Sequence, residues 1–230
     1  KSFYFFSSNL FVRRHYDVVF YYPQHFNRGD EGINEFFQPL INSCLENKLK
    51  YLLIEEPDSE TDKPRNNSAI PFDFIFFVIL LLRKLIPVKD NLQFREQKIG
   101  NLLSLFLLRN FSSQNYIVLS QSMLGVFRGI SPLASLFDLQ HGIIHNNKVN
   151  YLVRGEVSDS LRLNNVHLFL FGNGFKDVLI ANESDTYFRD HTIVIGKDIE
   201  LISNHESFNH NILITLQFTH DHSSSYNQKL

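Results

Sequence analysis

At 230 residues, with 43% hydrophobic and 20% charged side chains, the chain can bury one large core but would hold two full domains only tightly. A formal net charge of −2 gives no global field for gathering nucleic acid or an anionic membrane surface, so electrostatic nucleic-acid binding is not expected. One cysteine, Cys44, excludes an internal disulfide framework and fits a reducing compartment, where it reads as a small buried hydrophobe.

Taken in chain order, the opening "KSFYFFSSNLF" is too interrupted by Ser and Asn for a secretory signal. "DVVFYYP" (Asp17 to Pro23) is dense in β-branched and aromatic residues and predicts a buried strand, followed by the loop "QHFNRGDEG". "INEFFQPLINSCLENKL" (Ile33 to Leu49) carries apolar residues at helical spacing, and "KYLLIEEP" (Lys50 to Pro57) returns as a strand, completing one βαβ unit. The polar stretch "DSETDKPRNNS" (Asp58 to Ser68) predicts a surface loop, and two helices follow over Pro71 to Ile86 and Gln93 to Asn110. The first contains "FIFFVILLL" (Phe74 to Leu82), far shorter than the roughly 20 apolar residues of a membrane span, so it predicts a buried helix or one lying against a membrane surface.

Strands are then predicted at "NYIVLS" (Asn115 to Ser120), "SLFDLQ" (Ser135 to Gln140), "NNVHLFLFG" (Asn164 to Gly172) and "HTIVIGK" (His191 to Lys197). Short helices are expected around Met123 to Gly129 and at "GFKDVLIAN". Alternation of short strands with helices argues for an α/β fold, an open parallel sheet flanked by helices. After Lys197 a polar connector leads to a fresh strand, "NILITLQF" (Asn211 to Phe218), read either as the start of a second domain or as an edge strand of the same sheet.

The most chemically loaded stretch is "SLFDLQHGIIHNN" (Ser135 to Asn147). Ligands of open α/β sheets bind beyond the carboxyl ends of the strands, which is where His141 and Gly142 fall. Asp138 and Gln140 share one face of the strand, glycine permits a sharp turn or a close ligand approach, and histidine exchanges a proton near neutral pH. His25 follows the first strand, so it is expected on the same rim, with Gln24, Asn27 and Arg28 around it. His145, four residues after His141, would suit a metal only on a helix, which Gly142 and the preceding strand argue against. "HDH" (His220 to His222) lies in a polar tail, and the pairs Glu55-Glu56 and Asp30-Glu31 read as solvated. No P-loop, no G-x-S-x-G elbow, no full dinucleotide fingerprint and no Asp-x-Asp motif occurs.

"DLQHGIIHNNKVNYL" resembles the Glu-Leu-Gln-His-Gly motif, with a tyrosine about ten residues on, of bacterial GT-B-type glycosyltransferases of capsule and surface-polysaccharide synthesis. The segment from "HLFLFGNGFKDVLI" to "HTIVIGK" is similar to that family's later strand, turn, helix and strand. "NILITLQF" is similar to the strand opening the nucleotide-sugar-binding domain, and "DVVFYYPQHFN" to the first strand and loop. Two departures are plain: Asp138 stands where glutamate is usual, and "GNGFK" (Gly172 to Lys176) lacks the usual acidic residue and first aromatic.

The resemblance implies a Rossmann-like acceptor-side domain over residues 1–204, and over 205–230 a connector with the first strand of a truncated donor-side domain. It implies a cytoplasmic enzyme passing sugar from a nucleotide-sugar substrate to a growing surface polysaccharide, with no cofactor or metal, no nucleic-acid partner, and contact with the inner membrane left open. His141 and Asp138 would be catalytic, with Gln140, Gly142, Tyr151, His25, Gln24 and Arg28 binding substrate. This reading requires the His141 imidazole to open onto the groove that His25 faces. The competing class is a shortened, non-catalytic relative that binds a glycan or a protein through the same crevice; an unrelated flavodoxin-like domain would instead place a phosphate near residues 24 to 32.

Overall fold

The computed structural model describes residues 1–145 and 150–196. In chain order its elements are α1 (Ser2–Ser7), β1 (Arg14–Pro23), α2 (Gln38–Glu46), β2 (Tyr51–Glu56), β3 (Ile70–Pro71), α3 (Asp73–Leu85), α4 (Leu92–Leu105), β4 (Phe111–Val118), α5 (Leu124–Ile130), β5 (Ser135–Leu139), β6 (Leu152–Val153), β7 (Glu156–Val157), α6 (Asp159–Arg162), β8 (Val166–Leu170), α7 (Asn173–Asn182), α8 (Tyr187–His191) and β9 (Thr192–Val194). The second-domain strand expected over Asn211 to Phe218, residues 205–230 as a whole, and His220 to His222 lie outside the described residues.

Seven strands form one sheet in the order β3-β2-β1-β4-β5-β8-β9, and every neighbouring pair runs parallel. β1 is central because its sequence is apolar on both faces. Val19 and Tyr21 enter the core shared with α3, α4 and α5, while Val18, Phe20 and Tyr22 enter the core under α2. Period-two alternation of the strand makes this division, and burial on both faces is what a parallel sheet covered by helices demands. The chain builds outward from β1 through β2 to β3, then returns to the other side of β1 with β4. That reversal places a topological switch point, and hence a ligand crevice, at the carboxyl ends of β1 and β4. The architecture is a Rossmann-like α/β sheet.

Several boundaries differ from expectation. The helix expected over Ile33 to Leu49 covers only Gln38–Glu46, because Pro39 in its first turn has no N–H to extend the helix backward and favours a start there. Upstream, the chain folds as a loop closed by an Arg28–Ile33 bridge. β3 went unforeseen because two residues carry no period. The β6–β7 hairpin was also unforeseen, although Arg154 and Gly155 form its turn at φ 56° and 85°, the left-handed pair such two-residue connections favour.

α4 and α5 pack with backbones in contact. A Cβ at Gly129 would collide with the Gln97 carbonyl oxygen, and one at Gly100 with that of Val126. Arg128 fastens α5 to the following strands by donating to the carbonyls of Pro132, Ala134 and Asn164 at 2.8, 2.8 and 3.0 Å. On the opposite side of the sheet, Phe137 stacks on Phe169 at 4.5 Å, and the His167 ring lies 4.9 Å from that of His191.

Burial, with help from His191 and Arg128, holds the His167 imidazole below the usual histidine range. An unfolded chain takes up this proton near pH 6.5, so below that pH the unfolded state binds more protons and stability falls through the depressed folded value. The urea midpoint is therefore expected to drop between about pH 7.5 and about pH 5.5, and His167→Phe should reduce that drop. An identical pH dependence in wild type and variant would remove His167 as its source.

Candidate functional site

The carboxyl rim is set by how three strands end. Pro23 leaves β1 extended and the chain turns at once through Gln24, His25 and Phe26. β2 ends in Glu55 and Glu56, whose alternate side chains fall on opposite faces of the sheet. Glu55 is 1% exposed and accepts from Asn27 Nδ2 at 2.7 Å and the Asn66 N–H at 2.9 Å, with Arg65 Nε 3.6 Å away. It ties the loop after β1 to the loop after β2. Glu56 accepts from the Tyr21 hydroxyl and from Ser122 Oγ, and burial raises its pKa above the usual carboxylate range. The reading of this pair as solvated was wrong, because strand-end position looked exposed while both side chains turn inward.

With Glu55 holding the loops, Asp58 reaches His25: Nδ1 lies 2.6 Å from the Asp58 carboxylate. The Glu60 N–H and His25 hold that carboxyl below its ordinary range, so it stays ionised and can only accept. His25 must therefore donate from Nδ1, which leaves Nε2 as the proton-accepting nitrogen. His141 is arranged alike, its Nδ1 3.3 Å from the Leu139 carbonyl oxygen, an acceptor only. Phe26 stands between the two imidazoles, 4.5 Å from His25 and edge-on to His141 at 5.1 Å. All three rings line one cavity of about 160 Å³ together with Ser120, Gln121, Asp138, Asn150 and Tyr151.

Comparison with protein-family models, with curated proteins and with solved structures finds no match. The site's chemistry therefore rests on its own geometry.

Asp138 lines the cavity from the end of β5. It is 1% exposed and accepts from Gln121 Nε2 at 2.7 Å, while Gln121 Oε1 accepts from Ser160 Oγ at 2.7 Å. Burial, the Asp138 charge and a hydrogen bond to it push the Tyr151 hydroxyl well above the usual tyrosine range, so the phenol remains protonated. Gln140, on the same strand face as Asp138, does not line the cavity. Its Nε2 donates to the Gly142 carbonyl and its Oε1 accepts from the Phe171 N–H, each at 2.8 Å, which binds the end of β5 to the end of β8.

Gly142 lies outside the left-handed region and a Cβ there would meet nothing, so neither turn nor packing requires glycine. Gln24 and Arg28 turn away from the cavity: Gln24 Nε2 donates to the Lys63 carbonyl at 2.7 Å, and Arg28 Nη1 to that of His25 at 2.9 Å. Of the sequence-predicted residues, the cavity thus gathers His25, Asp138, His141 and Tyr151. His141 and His145 lie in irregular backbone, and no group of three or more His, Cys, Asp or Glu among the described residues could hold a metal ion.

Phe26, Asp58, Ser120 and Gln121 were missed as site residues. The strand-end rule applied to β1 and β5 would have found three of them if extended to the ends of β2 and β4.

Proposed function

We propose that this unit is the acceptor-side half of a GT-B-type glycosyltransferase, acting on a sugar hydroxyl of a growing surface polysaccharide. The observation carrying the reading is the Asp58-oriented His25 in the lining of the crevice cavity, with His141 across Phe26. The proton of an acceptor hydroxyl passes to His25 Nε2 as its oxygen forms the new bond to the anomeric carbon of a nucleotide-sugar. The bond from that carbon to the diphosphate oxygen breaks, and the nucleoside diphosphate leaves with the bonding pair. His141, which lines the same cavity, contacts the acceptor beside that hydroxyl. Asp138 acts as a positioning residue: its buried carboxylate orders Gln121 and Tyr151. Aromatic rings with amide and hydroxyl groups around them suit the mixed apolar and polar faces of a pyranose. The reaction so written uses no cofactor.

The test incubates the full chain with a panel of nucleotide-sugars and neutral oligosaccharide acceptors, measuring nucleoside diphosphate release and acceptor elongation. Elongation that falls in both His25→Ala and His141→Ala supports the reading. Saturable oligosaccharide binding without turnover would replace it with the glycan-binding class.

A further inference from the structure

α3 is apolar around most of its circumference. Ile75 and Ile79 are buried against the sheet, with Phe74, Phe76, Val78 and Leu82 packed beside them. The opposite face carries Phe77, Leu80, Leu81 and Leu85, spaced i, i+3, i+4 and i+8, with exposures of 66, 41, 48 and 68%. A helix apolar on both faces calls for a second apolar medium. α1 extends this surface: Phe3 packs edge-on against Phe74 at 4.9 Å, and it and Tyr4 remain exposed. The 13 residues of α3 span only about 20 Å, and no helix among the described residues is long and apolar enough to cross a membrane.

The charges at and after the carboxyl end of α3 select the medium. Exposed Lys84 closes the carboxyl end of α3. Lys89 and Lys98 line a groove of about 190 Å³ beside Phe94, with Asp90 as its acidic member. Arg83 and Arg95 are both paired with the buried Glu96, which leaves the lysines as the outward cations here. An exposed aromatic and aliphatic stripe with lysines at and beyond its carboxyl end fits the acyl boundary and headgroups of an anionic bilayer. We propose that the α1–α3 face is a docking surface for anionic lipid, with α3 lying in the plane of the interface.

The test is co-sedimentation of the full chain with phosphatidylcholine vesicles and with vesicles that also contain phosphatidylglycerol. Binding to the anionic vesicles is expected to exceed binding to neutral ones and to weaken with salt. Leu81→Glu should abolish it, and Lys84→Gln with Lys89→Gln should lower it about fivefold per lysine. Because Leu81 is exposed, the variant should melt as wild type; Phe77→Ser serves the same purpose if it does not. Absence of binding to anionic vesicles overturns the proposal, as does binding that survives both Leu81→Glu and Phe77→Ser. Self-association without vesicle binding, lost in these variants, would make the face an interface between copies instead. Sugar transfer is read separately, so either proposal can fail alone.

Discussion

Replacing His25 by alanine is expected to lower sugar transfer about 10²–10⁴-fold, the usual contribution of a positioned general base. The expectation follows from the 2.6 Å pairing with Asp58, which fixes the tautomer, and from the place of His25 in the cavity lining. Asp58→Asn should retain part of the rate, since an amide still accepts from Nδ1 but no longer stabilises the imidazolium. The loss in His25→Ala should fall on kcat, because the proton moves only in the transition state. His141→Ala should instead raise KM, consistent with a group that holds the acceptor. Equal kinetics in His25→Ala and wild type would remove His25 from the reaction, and equal melting curves would show that the fold had not changed. Nothing in the core depends on this ring, which is half-exposed.

Gly129→Val is expected to cost about 3 kcal/mol or more, the upper range for overpacking, because the obstacle is backbone. The side chain would meet the Gln97 carbonyl and the Asn101 amide, neither of which can rotate aside. Relief requires moving α5 away from α4, which would also strain the Arg128 bonds to Pro132, Ala134 and Asn164. For a unit of this size the melting temperature should fall by roughly 6–12 °C. Gly174→Ala offers a control, since a Cβ there meets nothing within reach. A Gly129→Val protein melting with the control would show that the helices separate freely.

The parallel sheet was legible in the sequence because "DVVFYYP", "YLLIEE" and "SLFDL" are runs whose composition permits little else. Helix limits were less legible where a proline stood inside a periodic stretch, as at Pro39. The rim was half legible. His25, Asp138, His141 and Tyr151 were reachable from strand ends and motif, and they do share a cavity. Gln140 was singled out for its place beside Asp138, yet its amide serves the backbone of two strands. No local pattern distinguishes a side chain facing a groove from one facing a carbonyl across a loop, which is why Gln24 and Arg28 were drawn into the same group. Asp58 was hidden for the converse reason: its partner is 33 residues away, and ties between two loops through Glu55, Gln24 and Asn27 bring them together.

The outermost strand beside β2 consists of Ile70 and Pro71 alone. An open sheet ordinarily presents a row of free amides on its margin, which a strand from another molecule can extend. Where β3 covers the end of β2, the margin is two residues long and one of them has no amide hydrogen, so that stretch gives an incoming strand almost nothing to grip. At that end of the flank, with α1 packed against β3, the sheet resists extension by a strand from another molecule.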